Sequence, residues 1–227
     1  MPDASPPRLP VVLFDLDGTL VDSIELILCS FRHACATELG RVPPDAEWLA
    51  GIGTPLVTQM RAFAESEAQL AALIAAYRDY QREHHDRLIR DYDGVRETLG
   101  ELAARGHPMA LVTSKADPLA VRALEFTGLR QYLPVIVGCD SCARHKPHPE
   151  PVLLALRLLG VEPADALFVG DSPYDIEAGN GAGVATVAAL WGPFSREVLE
   201  HAGPTYVIAH IRELTAIVAL ASAGIAT

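Results

Sequence analysis

The chain has 227 residues, half of them hydrophobic and 21% charged, with a formal net charge of −11. A chain of that length buries a substantial core in one or two domains. The acidic excess excludes nucleic acid and anionic membrane surfaces as bulk partners, since nothing would offset phosphate repulsion; a small anionic substrate stays compatible if cations or backbone N–H groups gather at one site.

Lysine occurs only twice, at Lys115 and Lys146, against sixteen arginines, so the position of each lysine is informative. The four cysteines (Cys29, Cys35, Cys139, Cys142) are too sparse for a disulfide scaffold. The Pro-rich stretch Met1 to Pro10 lacks the apolar run of a signal peptide, and the near-apolar tail Leu214 to Ala226 is too short to span a bilayer. The expectation is a cytoplasmic protein with free thiols. No heptad seam is evident, which leaves monomer and homodimer both open.

Along the chain, the apolar run Val11-Val12-Leu13-Phe14 after Pro10 suits a buried strand of a parallel sheet, which reads as continuous rather than alternating hydrophobicity. Residues from about Ser23 to Asp91 contain no convincing strand and read as three helices, Ile24 to Leu39, Pro55 to Glu65 and Glu67 to Arg90. Strand-like runs then return at Met109 to Val112, Pro134 to Val137, Ala166 to Val169, Val184 to Leu190 and Tyr206 to Ile208. Helical patterns lie between them: Val95 to Arg105, Leu119 to Thr127 and Pro151 to Leu159, each ending at a glycine (Gly106, Gly128, Gly160) as helix C-termini prefer. The alternation predicts an α/β fold, a doubly wound Rossmann-like parallel sheet with ligands at the carboxyl ends of its strands. The helical stretch 22–91 is expected to be a small cap domain inserted after the first strand, with 1–21 and 92–227 forming the catalytic core and hinges near Val21-Asp22 and Asp91 to Gly94.

Four short segments carry candidate chemistry. In Phe14-Asp15-Leu16-Asp17-Gly18-Thr19, side chains two apart on a strand point the same way, so Asp15 and Asp17 face one pocket. Two carboxylates so placed repel unless a cation or proton separates them. Thr113-Ser114-Lys115 follows a strand and opens a helix with unpaired N–H groups, the setting of an anion site. Lys146 stands in the stiff His145-Lys146-Pro147-His148-Pro149 segment. In Gly170-Asp171-Ser172-Pro173-Tyr174-Asp175, Asp171 ends a strand, Pro173 suits a first helical turn, and Asp175 turns toward the same side. With Asp15 and Asp17 these make four carboxylates at one sheet edge, an oxygen-rich set that suits Mg²⁺.

The order DLDGT, VTSK, HKP, VGDSPYD, with a helical insert after the first, resembles the haloacid dehalogenase superfamily over nearly the whole chain. The resemblance implies a hydrolase with Asp15 as the nucleophile that takes the phosphoryl group. It implies Asp17 as the acid that protonates the leaving oxygen and then activates water. Thr113 and the Ser114 N–H would hold phosphoryl oxygens, and Lys146 would neutralise them. Mg²⁺ would sit on Asp15, the carbonyl of Asp17 and Asp171, with Asp175 in support.

Asp17 argues against the dehalogenases, which lack this second aspartate, and the helical insert offers no lysine for Schiff-base chemistry. The segment Gly51-Ile52-Gly53-Thr54-Pro55-Leu56 resembles the cap loop of phosphoglycolate phosphatases, which makes Gly51, Gly53 and Thr54 candidate specificity positions. Tyr77 to Thr98 also resembles bacterial inorganic pyrophosphatases of the superfamily. The expected partner is a small phosphorylated metabolite of the phosphoglycolate type, with inorganic pyrophosphatase and phosphosugar mutase as alternatives. Cys139-x-x-Cys142 with His145 and His148 has a spacing open to zinc, but it flanks Lys146 and has no second Cys pair, so free thiols are expected. His84 and His85 read as a solvated or hinge-facing surface, Trp48 and Trp191 as packing, and the stripe Leu70, Leu73, Ile74, Tyr77 as helix core.

Overall fold

A computed structural model describes residues 9–222. The reading of Met1 to Pro10 as free of a leader, and the end of the Leu214 to Ala226 tail, fall largely or partly outside the described residues. The elements run β1 (Val11–Phe14), β2 (Val21–Asp22), α1 (Ile24–Leu39), α2 (Asp45–Leu49), α3 (Leu56–Arg61), α4 (Glu67–Leu88), β3 (Arg90–Asp91), α5 (Val95–Ala104), β4 (Met109–Val112), α6 (Asp117–Phe126) and β5 (Val135–Val137). They continue with α7 (Glu150–Leu159), β6 (Ala166–Gly170), α8 (Pro173–Ala182), β7 (Ala185–Ala189), α9 (Arg196–His201), β8 (Tyr206–Ile208) and α10 (Leu214–Ser222).

Six strands form one parallel sheet in the order β5-β4-β1-β6-β7-β8. Its strands are apolar without alternation because both faces are covered. Val12 and Phe14 point into a cluster with Leu99, Leu124 and Val218 of α5, α6 and α10. Val11 and Leu13 point the other way, against Val152, Ala155 and Ala178 of α7 and α8. The chain leaves β1 to build β4 and β5 on one side, then crosses to β6, β7 and β8 on the other. That reversal opens a crevice at the carboxyl end of β1, the place where doubly wound sheets bind ligands.

Helices α1 to α4 stand apart from this sheet and have an apolar cluster of their own. Phe31 stacks on Trp48 with ring centroids 4.6 Å apart, and Met60, Leu70, Leu73 and Tyr77 close round them, joined from elsewhere in the chain by Phe194. Trp48 is thus a packing residue, and three of the four stripe residues, Leu70, Leu73 and Tyr77, are buried, with Ile74 half-buried.

Several elements differ from expectation. Helix α3 stops at Arg61, and Ser66 begins α4 by accepting a hydrogen bond from the Gln69 N–H at 3.2 Å. The five-residue α2 is too short to show a helical period. Two unexpected two-residue strands, β2 and β3, pair antiparallel where the insert leaves and rejoins the sheet, with Val21 opposite Asp91 and Asp22 opposite Arg90. Among the described residues no helix is long and apolar enough to cross a membrane. All four cysteines are free thiols.

Candidate active site

Three of the four motif residues at issue come from strand ends around the crevice: Asp15 follows β1, Thr113 follows β4 and Asp171 follows β6. The fourth, Lys146, enters from the loop between β5 and α7. Registers of β1 with β4 and β6 pair Phe14 with Leu111 and Val169, which sets these ends side by side.

Lys146 is buried, with Nζ 2.8 Å from Asp15 Oδ1 and 2.5 Å from Asp175 Oδ1. The contact with Asp15 is an ion contact lying off the angles of a hydrogen bond, which leaves Asp15 Oδ1 without a hydrogen-bond partner. Asp175 is committed on both oxygens: Oδ2 accepts from the Ser172 N–H at 3.0 Å and its hydroxyl at 2.6 Å. It therefore fixes Lys146 and the first turn of α8 together.

Asp171 is equally buried. Its Oδ1 accepts from the Thr19 hydroxyl at 2.6 Å, while Oδ2 has no partner among the described residues. Gly18, at φ +87°, lies so close that a Cβ there would sit 2.2 Å from Asp171 Oδ2, so only glycine admits this approach. Carboxylate oxygens of Asp15, Asp171 and Asp175 lie within 4.8 Å of one another, the only such grouping of acidic, histidine or cysteine side chains among the described residues. Cys139, Cys142, His145 and His148 do not gather in this way.

Burial and the charge of Asp175 push Asp15 up to about 7 despite the pull of Lys146. Burial, with Asp15 and Asp175 close by, drives Asp171 well above the ordinary carboxylate range. Burial alone would lower the Lys146 pKa, but the charges of Asp15 and Asp175 outweigh it and hold the ammonium above the usual lysine range. A buried acidic cluster with an orphaned oxygen fits a divalent cation, which would satisfy Asp171 Oδ2 and relieve the repulsion.

Asp17 lies on the same side but has different company. The ammonium of Lys115 donates to both of its oxygens, at 2.9 and 2.8 Å, and the Ser23 hydroxyl donates at 2.6 Å. Thr113 uses its N–H on Val137 O at 2.9 Å and accepts the Lys115 N–H on its hydroxyl at 3.2 Å. The Ser114 hydroxyl donates to Gly53 O at 2.6 Å, which ties this edge of the sheet to the helical insert.

That carbonyl belongs to the Gly51–Leu56 loop. Thr54 bonds back to Gly51 O, through its hydroxyl at 2.8 Å and its N–H at 3.1 Å, making a tight turn. Gly53, at φ +104°, has Ser172 Oγ so near that a Cβ would lie 2.6 Å from it. The loop roofs a cavity of about 110 Å³ floored by Asp15, Asp17, Thr113, Ser114 and Lys146. Gly53 and Thr54 line it, whereas Gly51 serves the turn.

Lys115, Thr19 and Ser23 escaped the sequence reading as site residues. Lys115 carried a signal in its rarity, but its partner Asp17 is 98 positions away. Of the two settings expected for His84 and His85, solvated or hinge-facing, His85 is not solvated: it is buried and turned toward the core, edge-on to Phe126 of α6, its Nδ1 2.6 Å from Asp86. Trp191 packs near Tyr92 and donates its Nε1–H to Thr19 O at 3.0 Å.

The fold and this strand-end cluster define an α/β enzyme with its site at the sheet's switch point. The family model of the haloacid dehalogenase-like hydrolases matches residues 12–189. Pyrophosphatase PpaX of Bacillus cereus (strain AH820) is 37% identical over 207 residues, covering 91% of this chain and 95% of that protein. The crystal structure of a predicted phosphoglycolate phosphatase from Haemophilus somnus 129pt superposes with a TM-score of 0.85 at 26% identity, over 92% of this chain and 97% of that one. A predicted phosphatase from Clostridium acetobutylicum gives 0.82 at 29% identity, over 93% and 99%. The chain belongs to the haloacid dehalogenase-like hydrolase family and is an enzyme, a phosphoric-ester hydrolase.

Proposed function

We propose that this enzyme is a Mg²⁺-dependent phosphohydrolase acting on a small, doubly anionic phosphate through an aspartyl-phosphate intermediate. The observation that carries the reading is the buried Asp15–Lys146 contact, 2.8 Å at the end of β1, inside a cavity roofed by the Gly51–Leu56 loop. Asp15 attacks phosphorus and the bond to the leaving oxygen breaks, that oxygen taking its proton from Asp17. Asp17, now a carboxylate, accepts a proton from the water that cleaves the phosphoryl group from Asp15. The Thr113 hydroxyl and the Ser114 N–H hold phosphoryl oxygens, and Lys146 offsets their charge beside Asp15. Charge neutralisation and positioning are most of what phosphoryl transfer requires.

Mg²⁺ would be held by Asp15, Asp171 and the backbone carbonyl of Asp17, with Asp175 supporting through Lys146 and Ser172; it would supply positive charge against the phosphate and keep both buried carboxylates ionised. Residues 22–91 act as a cap over the site, and a cytoplasmic location suits a soluble metabolite as substrate.

Inorganic pyrophosphate takes first place as substrate. A relative 37% identical over 91% of the chain is named a pyrophosphatase, and a cavity of about 110 Å³ suits a compact anion. The Gly51–Leu56 loop favours a second reading, 2-phosphoglycolate. The test is phosphate release in Mg²⁺ buffer, comparing the two substrates directly. Turnover of at least one is expected, and Asp15→Asn should lower it by a factor of ~10³ or more with the fold intact, the scale on which loss of a nucleophile is felt. An Asp15→Asn variant that kept its rate would overturn the mechanism.

A further inference from the structure

A second cavity, about 220 Å³, lies behind the wall that Asp17 and Lys115 make in the first, between α4 of the insert and α6 of the core. Its walls are largely apolar (Val21, Leu26, Ile89, Leu119), but its charged lining is mainly cationic in a chain of net charge −11: Arg78, Arg82, Lys115 and Arg122, with Asp17 the only carboxylate. Arg82 and Arg122 have acidic partners outside the cavity, Asp79 at 2.8 Å and Asp86 at 3.1 Å. Arg78 has no ion pair or hydrogen bond among the described residues, although it lines both cavities. The His85 side chain, 9% exposed, also faces this space, and its Nε2 has no hydrogen-bond partner.

Resting on the phosphohydrolase reading above, we propose that this cavity receives the anionic far end of the substrate, and that Lys115 is the residue that reads it. Lys115 is well placed to change partners. It is one of only two lysines, it stands at the boundary of both cavities, and its ammonium is held by Asp17 through both carboxylate oxygens. A flexible four-carbon stem with a compact charge swings between neighbouring anions more readily than a planar guanidinium does. An arriving phosphate or carboxylate, carried beyond the reacting phosphorus, competes with Asp17 for that ammonium, with the uncommitted Arg78 as its second cation. Once Lys115 turns to the far end of the substrate, Asp17 loses its bidentate hold and is free to face the leaving oxygen. A monoester with a neutral leaving group leaves Lys115 on Asp17. The enzyme thereby selects doubly anionic phosphates, whichever of phosphate or carboxylate the second anion is.

The test compares pyrophosphate, 2-phosphoglycolate and phenyl phosphate on the full chain with Mg²⁺, in the parent, Lys115→Met and Arg78→Met. The expected result is a ratio of kcat/KM, doubly anionic substrate over phenyl phosphate, that falls about 100-fold in Lys115→Met and at least threefold in Arg78→Met, with Lys115→Arg recovering part of the loss. Equal losses on all three substrates, or no loss, would overturn the proposal and reduce Lys115 to a structural partner of Asp17. Binding separates this idea from the catalytic one. In the Asp15→Asn background, methylenediphosphonate should bind at least tenfold more tightly than methylphosphonate by calorimetry, and Lys115→Met should erase the difference. No preference in that background sinks the present inference even if the parent hydrolyses phosphate esters. A preserved preference in a protein that turns over nothing sinks the phosphohydrolase reading alone.

Discussion

Asp15 and Asp171 sit in a place that disfavours charge, and this has a consequence for stability. Burial and the charge of Asp175, joined for Asp171 by that of Asp15, hold both above the ordinary carboxylate range, Asp15 at about 7 against 3.8 for a free side chain. The native protein therefore binds more protons than the unfolded chain between about pH 4 and pH 7. Stability from these groups is greatest at the acid end of that window and is lost as pH rises through it. A divalent cation held by these carboxylates, as proposed above, would offset that loss. The thermal midpoint of EDTA-treated protein should fall between pH 5 and pH 8, and added Mg²⁺ should raise it more at pH 8 than at pH 5. At a hundredfold excess over Kd the gain is about 2.7 kcal/mol, or roughly 5–10 °C for a chain of this size. Asp171→Asn should flatten both responses. Equal gains at the two pH values, with Asp171→Asn behaving as the parent does, would show that these carboxylates do not hold the metal.

Among elements, the Gly51–Leu56 loop stands out because its placement depends on the absence of a side chain. Gly53 combines φ +104° with a space in which a Cβ would lie 2.6 Å from Ser172 Oγ. Gly53→Ala should lift the loop tip from Ser114 and Ser172, raising KM for the small phosphate about tenfold while moving the thermal midpoint by only a few degrees, since Ile52 and Leu56 keep the rest of the loop anchored in the insert's apolar cluster. Unchanged KM would mean the loop does not close on substrate. This loop was legible only through its resemblance to the cap loop of phosphoglycolate phosphatases, whereas the sheet was legible from β1, β4 and β6, whose burial on both faces leaves an unbroken apolar run. The strand ends then put Asp15, Thr113 and Asp171 where a reader of the sequence expects them. What escaped was set by distant partners. Strands β2 and β3 are two residues each and exist only through pairing across 68 positions, with Arg90 bonded to Asp22 at 3.2 Å. His85 is buried in the fold, with Phe126 of the distant α6 edge-on against it. Lys115 acquires meaning only when β4 is laid beside β1.

At the scale of the whole molecule, the helical insert and the sheet each have a main apolar cluster, bridged by Leu26 and Ile89 on the sheet side and Phe194 on the insert side, and among the described residues few polar links close the far side of the site. Besides the β2–β3 ribbon, these are Ser114 to Gly53 at 2.6 Å, Tyr174 to Ala50 at 2.9 Å and Arg122 to Asp86 at 3.1 Å. Hydrogen bonds of this sort contribute about 0.5–1.5 kcal/mol each, and an exposed ion pair about 0–1, so these three links add only a few kcal/mol to the apolar contacts of Leu26, Ile89 and Phe194. If residues 22–91 act as the proposed cap, the ribbon is the place about which it would open, and what binds between the halves would draw it shut. Amide exchange followed by mass spectrometry should therefore show residues 50–56 exchanging more slowly once Mg²⁺ and inorganic phosphate are both present. Strands β1, β4 and β6 should be unchanged, because their hydrogen bonds open only with the whole sheet. Slowing at 50–56 with phosphate alone would place the closing force in Lys146, Ser114 and Lys115. Slowing only with both would place it in the carboxylate cluster as well, since the phosphate would then need Asp15 and Asp171 neutralised before it could settle under the loop. If exchange at 50–56 ignored both additions, the insert would be a fixed roof, and substrate would have to enter through the cationic cavity beside Lys115.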